Sequence, residues 1–294
     1  MSSSRYRGRF APSPTGPLHF GSLVAALGSY LDARAHGGEW LLRIEDVDAP
    51  RVVPGASEAI LHALEAYGFE WAGEVMYQNR RAEAYRAAVQ TLQELGLVYA
   101  CACSRKQLAE TAKRGIDGLV YAGACREREP MPGLALRLRV PAGRIAFADR
   151  IQGRVACDLE RESGDFVVQR ADGIHTYQLA VVVDDAAQGI SHVVRGADLL
   201  TSTPRHIVLQ RCLGLPTPSY MHLPVVLDPI GGKLSKQTLA ESIDPRRPLP
   251  ALLQALRFLG APDVRAVGSL AEFWAQADAA WGGAIAAVRG RRPA

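Results

Sequence analysis

Lysine occurs only at Lys106, Lys113, Lys233 and Lys236, and the last two stand close together in Gly231-Gly232-Lys233-Leu234-Ser235-Lys236-Gln237. Arginine is the default base among the 34 basic residues. Two compact, mobile ammonium groups beside a Gly-Gly pair are therefore chemically distinct from the planar guanidinium forks used elsewhere. Far upstream, Arg9-Phe10-Ala11-Pro12-Ser13-Pro14-Thr15-Gly16-Pro17-Leu18-His19-Phe20-Gly21-Ser22 runs into an apolar-periodic stretch. That string has the parts of a strand, a turn and a helix N-terminus, where free backbone N–H groups and the positive end of the dipole favour phosphate. Together the two motifs point to an ATP site. Nucleotidyl transfer needs both, because negative charge on the triphosphate must be neutralised as the α-phosphorus is attacked.

A third set of reactive side chains is the cysteines, Cys101, Cys103, Cys125, Cys157 and Cys212. An odd number behind an N-terminus with no apolar leader argues against a disulfide framework and leaves metal binding or plain burial. Cys101, Cys103 and Cys125 offer three thiolates, whereas structural zinc takes four ligands, and no histidine lies between Cys103 and Cys125. Cys157 and Cys212 read as core residues.

The elements that must position these groups follow from periodicity. A chain of 294 residues with 48 % hydrophobic content can bury a substantial core as one large or two smaller domains. Residues 5–10 read as a strand, Leu18 to Ala35 as a helix stopped by His36-Gly37-Gly38, and Glu39 to Ile44 as a second strand. That order is a βαβ unit with a right-handed crossover. Helices are expected over Ala56–Tyr67 and Arg80–Leu95, followed by an apolar run from Leu97 to Ala100. A short helix near Ser104–Lys113 and β-like runs at Ala135–Val140, Arg144–Ala148, Val155–Leu159 and Phe166–Arg170 indicate a β-rich insertion. Ile174 to Val183 and His192 to Val194 read as resumed strands of the parallel sheet, Thr203–Leu213 as a helix, and Leu249 onward as a helical close. Net charge is +4, which accommodates a polyanionic partner without requiring one. No stretch reaches the roughly 18 apolar residues of a spanning helix, so a cytoplasmic location with no membrane partner is expected.

At this point the motifs resemble a known family. Arg9 to Ser22 resembles the HIGH region of class I aminoacyl-tRNA synthetases in its glutamyl and glutaminyl form, and Lys233-Leu234-Ser235-Lys236-Gln237 resembles their KMSKS loop. The Cys101-x-Cys103, Tyr121 and Cys125 set, the segment from Tyr177-Gln178-Leu179-Ala180 to Asp184-Asp185, and Val194-Arg195-Gly196-Ala197-Asp198 look most like the glutamyl-Q tRNA(Asp) synthetases, truncated paralogues of glutamyl-tRNA synthetase. Only 57 residues follow Gln237, so an anticodon-binding domain is not expected.

The resemblance implies an α/β Rossmann-type parallel sheet with an inserted zinc-containing β-rich subdomain and a short C-terminal helical segment. Its expected divisions are residues 1–100, 101–172, 173–230 and 231–294. It implies activation of L-glutamate by ATP with Mg²⁺, without help from tRNA, and transfer to the queuosine base in the anticodon loop of tRNA(Asp), by a monomer. His19 would contact the triphosphate, with plain helix capping as the alternative. Gly21 would let adenosine lie against the helix, Ser22 replaces the motif's second histidine, and Lys236, supported by Lys233, would contact phosphates in the transition state. Arg9, Ala11 and Ser13 would surround glutamate. Glu45 would accept from its ammonium or be an ordinary surface acid, and Tyr177 and Arg195 would complete the pocket. Asp46 and Asp48 read as solvated turn residues. Structural Zn²⁺ would take Cys101, Cys103, Cys125 and Tyr121, the alternative being free buried thiols. Two other functions stay open: a truncated synthetase that charges a tRNA 3′ end, and a catalytically inactive paralogue that binds RNA.

Overall fold

A computed structural model describes residues 5–116, 118–226, 242–261, 264–265 and 267–289. Strand β1 (Arg7–Phe10), helix α1 (Phe20–Ala35) and strand β2 (Glu39–Ile44) form the expected βαβ unit, with β1 and β2 parallel in register from Arg7↔Glu39 to Phe10↔Leu42. Helix α1 ends where Gly37 turns to φ +58° and Gly38 N–H returns to the Ala33 carbonyl at 2.9 Å. Glycine takes that left-handed conformation at no steric cost. Helix α2 (Ala56–Ala66) follows, and then the short strand β3 (Met76–Tyr77) extends β2 in parallel. Helix α3 (Ala82–Glu94) and strand β4 (Val98–Cys101) complete this stretch.

The next elements are helix α4 (Arg105–Thr111), the small pair β5 (Arg114–Gly115) and β6 (Gly118–Leu119), and strand β7 (Ala135–Leu138). After them come hairpin strands β8 (Arg144–Asp149) and β9 (Gly153–Asp158), one turn of helix α5 (Leu159–Glu162) and strand β10 (Phe166–Gln169). Strand β7 sits between β10 and β4 in an antiparallel sheet.

Helix α6 (Tyr177–Ala187), strand β11 (His192–Gly196), helix α7 (Thr203–Cys212) and strand β12 (Ser219–Leu223) return the chain to a parallel arrangement. Ser191 ties this half to β1, donating to the Arg7 carbonyl at 3.0 Å and accepting from Arg7 N–H at 2.9 Å. Strand β12 also pairs in parallel with β8 at Tyr220↔Asp149, so the β8–β9 hairpin extends the sheet that carries β11. Helices α8 (Pro248–Phe258) and α9 (Leu270–Arg289) cover α1, sharing a core with Leu27, Leu31, Leu256, Phe273 and Trp281.

The stretch read from the sequence as a strand between Ile174 and Val183 is a helix from Tyr177 onward. Its Leu179–Val182 run is buried on all sides, and an all-round apolar run lacks the amphipathic period that distinguishes helix from strand. Among the described residues no helix is long and apolar enough to cross a membrane.

Candidate active site

A cleft of about 950 Å³ opens at the C-terminal ends of β1, β2 and β11, where open α/β sheets place their ligands. Arg9, Ala11, Ser13, His19, Gly21, Ser22, Glu45, Tyr177 and Arg195 all line it. Every described residue that the sequence assigned to ATP or glutamate therefore reaches one cavity.

Arg9, on β1, is buried, and its Nε donates to Asp185 Oδ1 at 3.0 Å, while its terminal nitrogens make no hydrogen bond among the described residues. The same oxygen of Asp185 accepts from Arg43 Nη2 at 2.7 Å. Arg43 is fully buried in β2, and Gln188 Oε1 takes its Nη1 at 2.7 Å. Burial pushes the Asp185 carboxyl up, but Arg9 and Arg43 outweigh it and hold the group below the usual carboxylate range. Glu45, just beyond β2, accepts weakly through Oε1 from Arg43 at 3.3 and 3.4 Å, and its Oε2 makes no hydrogen bond among the described residues. Burial raises its pKa against the pull of Arg43 and Arg9. Two buried arginines and two buried carboxylates are thus linked at one end of the cleft, with Glu45 Oε2 accepting no hydrogen bond from the described residues.

Arg43 and Asp185 were not assigned a role from sequence. A charged residue inside an apolar strand, and two acids closing an apolar helix, were the signals available. The neighbouring Asp184 is fully buried and turns the other way, accepting from Gln78 Nε2, Arg81 Nε and Tyr85 Oη at 3.0, 3.1 and 2.6 Å. Helix α6 is thereby fixed to both β1–β2 and α3. The reading of Asp46 as a solvated turn residue is corrected: it is buried, and it accepts from Asn79 N–H at 2.8 Å because β3 folds against it. Asp48 pairs with Arg170 at 3.2 Å near the surface.

His19 is the N-cap of α1, its Nδ1 accepting from Ser22 N–H at 3.2 Å. Capping and phosphate contact are compatible. A ring that accepts at Nδ1 carries its proton on Nε2 when neutral, and that is the nitrogen able to donate to a phosphate oxygen. Lys233 and Lys236 lie outside the described residues. Of the described residues on either side, Val226 lines the cleft, and Ser242 bridges to His19 while Ile243 N–H donates to the Leu18 carbonyl at 3.0 Å, both partners being in the cleft wall.

Arg195 leaves β11 into a cage of neutral acceptors, and Tyr177 Oη accepts from its Nη1 at 3.4 Å. Burial pushes the Tyr177 phenol up to about 12, so at neutral pH it is a hydroxyl that can donate to a carboxylate.

The cysteine cluster lies apart, in the insertion. The sulfurs of Cys101, Cys103 and Cys125 are mutually within 4.8 Å, with Cys103 and Cys125 3.6 Å apart. Tyr121 Oη is 3.5 Å from Cys101 Sγ and 3.7 Å from Cys103 Sγ. Tetrahedral geometry with metal–sulfur bonds of about 2.3 Å and metal–oxygen bonds of about 2.0 Å requires S···S near ~3.8 Å and S···O near ~3.5 Å. The separations of 3.5, 3.6 and 3.7 Å lie close to those values, so the cluster could hold such an ion. Hydrogen bonding from Tyr121 holds the Cys125 thiol down at about 7, whereas burial pushes the Cys103 thiol and the Tyr121 phenol up, so a bound ion would have to displace protons from those two. Cys157 is buried in the core as expected and its thiol is pushed up to about 12 by burial, while Cys212 packs half-buried against the same core.

The family model for the catalytic domain of class I tRNA synthetases (E and Q) matches residues 5–262, and the chain belongs to that family. Within it, the protein named Glutamyl-Q tRNA(Asp) synthetase in Dechloromonas aromatica is 60 % identical over 285 residues, covering 95 % of each chain. Its namesake in Chromobacterium violaceum is 56 % identical over 283 residues, covering 96 % of this chain and 95 % of its own. The glutamate-tRNA synthetase from Elizabethkingia anophelis superposes with a TM-score of 0.77 at 27 % identity, over 92 % of this chain but 65 % of that one. This chain therefore spans slightly under two thirds of that synthetase's length.

Proposed function

We propose that this chain activates L-glutamate with ATP and transfers the glutamyl group to queuosine in tRNA(Asp). The observation that carries the proposal is the cleft itself, in which cations suited to a dicarboxylate and a helix N-terminus suited to phosphate share one wall. The name shared by relatives 53–60 % identical over nearly the whole chain supports the same substrate and acceptor.

In the first step an α-carboxylate oxygen of glutamate attacks the α-phosphorus of ATP, and the bond to pyrophosphate breaks. His19 Nε2–H and the first turn of α1 receive triphosphate oxygens, and Lys236 with Lys233 compensates the charge that builds on the leaving pyrophosphate. Mg²⁺ accompanies ATP as part of the substrate. Arg9 and Arg195 take the side-chain carboxylate, Tyr177 adds a hydroxyl donor, and Glu45 Oε2 accepts from the ammonium. In the second step a hydroxyl of the modified base's diol attacks the acyl carbon and loses its proton, and AMP departs. No tRNA is required for the first step.

A single-stranded loop suits such a cleft, because unstacked bases can be splayed into it while arginines hold the phosphates. We assign the acceptor to the anticodon loop on that ground. Structural Zn²⁺ would be held by Cys101, Cys103, Tyr121 and Cys125, where it would cross-link the insertion.

The test is incubation with ATP, labelled glutamate and tRNA with or without queuosine, followed by mapping of the label. Label on the modified base, absent from tRNA lacking queuosine, is expected. Label on the 3′-terminal adenosine would instead make this a charging enzyme, and no glutamate-dependent ATP–pyrophosphate exchange would leave an RNA-binding paralogue.

A further inference from the structure

Arg195 is 6 % exposed, yet no carboxylate of the described residues touches it. Its Nη2 donates to Thr203 Oγ1 at 2.8 Å and to the Leu199 carbonyl at 3.3 Å, and His206 Nδ1 lies 3.3 Å from Nη1. The fifth donor, Nε–H, points to His222 Nε2 at 3.1 Å. His222 is fully buried on β12, and its Nδ1 lies 2.7 Å from Asp149 Oδ2 at the end of β8. The other oxygen of Asp149 accepts from Ile151 N–H, Gln152 N–H and His222 N–H at 2.9, 2.8 and 3.3 Å.

This chain of contacts has one consistent proton arrangement. A guanidinium Nε–H can only donate, so His222 Nε2 must accept, and the imidazole proton must sit on Nδ1 and point at Asp149. Burial and the adjacent Arg195 hold the His222 pKa below its ordinary value, in keeping with a neutral ring. The Asp149 carboxylate thus reaches Arg195 by way of a neutral ring, and among the described residues no carboxylate makes a direct ion pair with the guanidinium.

We propose that Asp149 and His222 are positioning residues for Arg195. Asp149 fixes the Nδ1–H tautomer of His222, whose Nε2 lone pair then holds Arg195 Nε–H and sets the guanidinium for a substrate carboxylate. This inference rests on the reading of Arg195 as a glutamate contact. The connection runs through the single register contact between β12 and β8, so a residue of the hairpin sets the posture of a residue in the cleft.

Asp149→Asn tests it. The asparagine oxygen keeps the three backbone N–H bonds, but its amide donates toward His222 Nδ1, which drives the proton to Nε2, removes the lone pair that held Arg195 Nε–H and leaves the ring donating to Thr203 Oγ1, 3.1 Å away. The KM for glutamate in ATP–pyrophosphate exchange should rise about 10- to 100-fold, the usual scale for losing an orienting partner behind a binding group. The KM for ATP and kcat should stay within about threefold. His222→Gln, which retains an acceptor near the Nε2 position, should restore most of the affinity that His222→Leu loses.

A second readout does not depend on the substrate. Long-range ¹H–¹⁵N spectra of protein with labelled histidine should show His222 as the Nδ1–H tautomer in the wild type and the Nε2–H tautomer in Asp149→Asn. An unchanged tautomer, or a glutamate KM that does not move, overturns the proposal. So does an equal loss in both KM values and kcat, which marks a structural role alone. Wild-type protein without glutamate-dependent exchange would overturn the parent reading while the spectra still decide the tautomer.

Discussion

Arg9 Nε donates to Asp185 Oδ1 across 3.0 Å in a buried setting, so a carboxylate on α6 holds one edge of a guanidinium on β1. The other edge makes no hydrogen bond among the described residues. Arg43 shares the same oxygen, and an acid that neutralises two buried arginines at once cannot be removed cheaply.

For this reason Asp185→Asn is expected to destabilise the fold by about 3 kcal/mol or more, the scale for breaking a buried ion pair and leaving its partner charged. At 2–4 °C per kcal/mol that lowers Tm by roughly 6–12 °C. Calorimetry checks it. Since the mutation also frees Arg9 Nε, glutamate affinity should fall even where the protein is folded, and unchanged exchange kinetics would separate Arg9 from the substrate.

Removing one ammonium from the lysine segment should act on the chemical step. Lys236→Ala is expected to slow glutamate-dependent ATP–pyrophosphate exchange by on the order of 10²-fold or more, the cost of losing one contact to charge that develops in the transition state. Unaltered exchange would take Lys236 out of the mechanism.

Elemental analysis of the purified protein should find about one equivalent of zinc. Cys125→Ser should lose it and loosen the insertion, seen as faster proteolysis within residues 101–172, while exchange in the distant cleft persists. Metal-free protein of equal stability and activity would favour free buried thiols.

The insertion should lose stability in acid. Asp165 is buried and accepts from Tyr99 Oη at 2.5 Å and from Arg126 Nε and Nη2 at 2.7 and 2.8 Å. Burial raises its pKa, but Arg126 and Tyr99 outweigh that and hold it below the ordinary value. A depressed folded pKa contributes stability that is fully present above the unfolded value of about 3.9 and is lost as pH falls through the folded one. Asp165→Asn should therefore be less stable at neutral pH and should show a shallower fall in stability below about pH 4. Parallel acid titrations of both proteins by near-UV circular dichroism would reveal any failure of that pattern.

Much of this was legible in the sequence where local signals suffice. The β1–α1–β2 unit was read because a 3.6-residue period, a Gly-Gly stop and an apolar strand are all local. His19, Glu45 and Arg195 were placed because motif order carried them. Helix α6 was misread because burial on every side erases its period, and Asp184 and Asp185 point in opposite directions for reasons that lie in β1, β2 and α3. Asp149 and His222 carry no local signal at all: they are 73 positions apart, and only the pairing of β8 with β12 brings them together.

Asp32 is another such meeting point. It accepts from Tyr6 Oη at 2.6 Å, from Arg150 Nη2 at 2.8 Å and from Trp281 Nε1 at 3.4 Å. During synthesis these donors emerge from the ribosome in that order, with Trp281 last. A nascent chain that has already completed the cleft still holds this buried carboxylate short of one donor and α1 short of its cover. Folding of the nucleotide half should therefore become fully cooperative only once helix α9 has emerged, with earlier nascent lengths open to proteases and in need of chaperones.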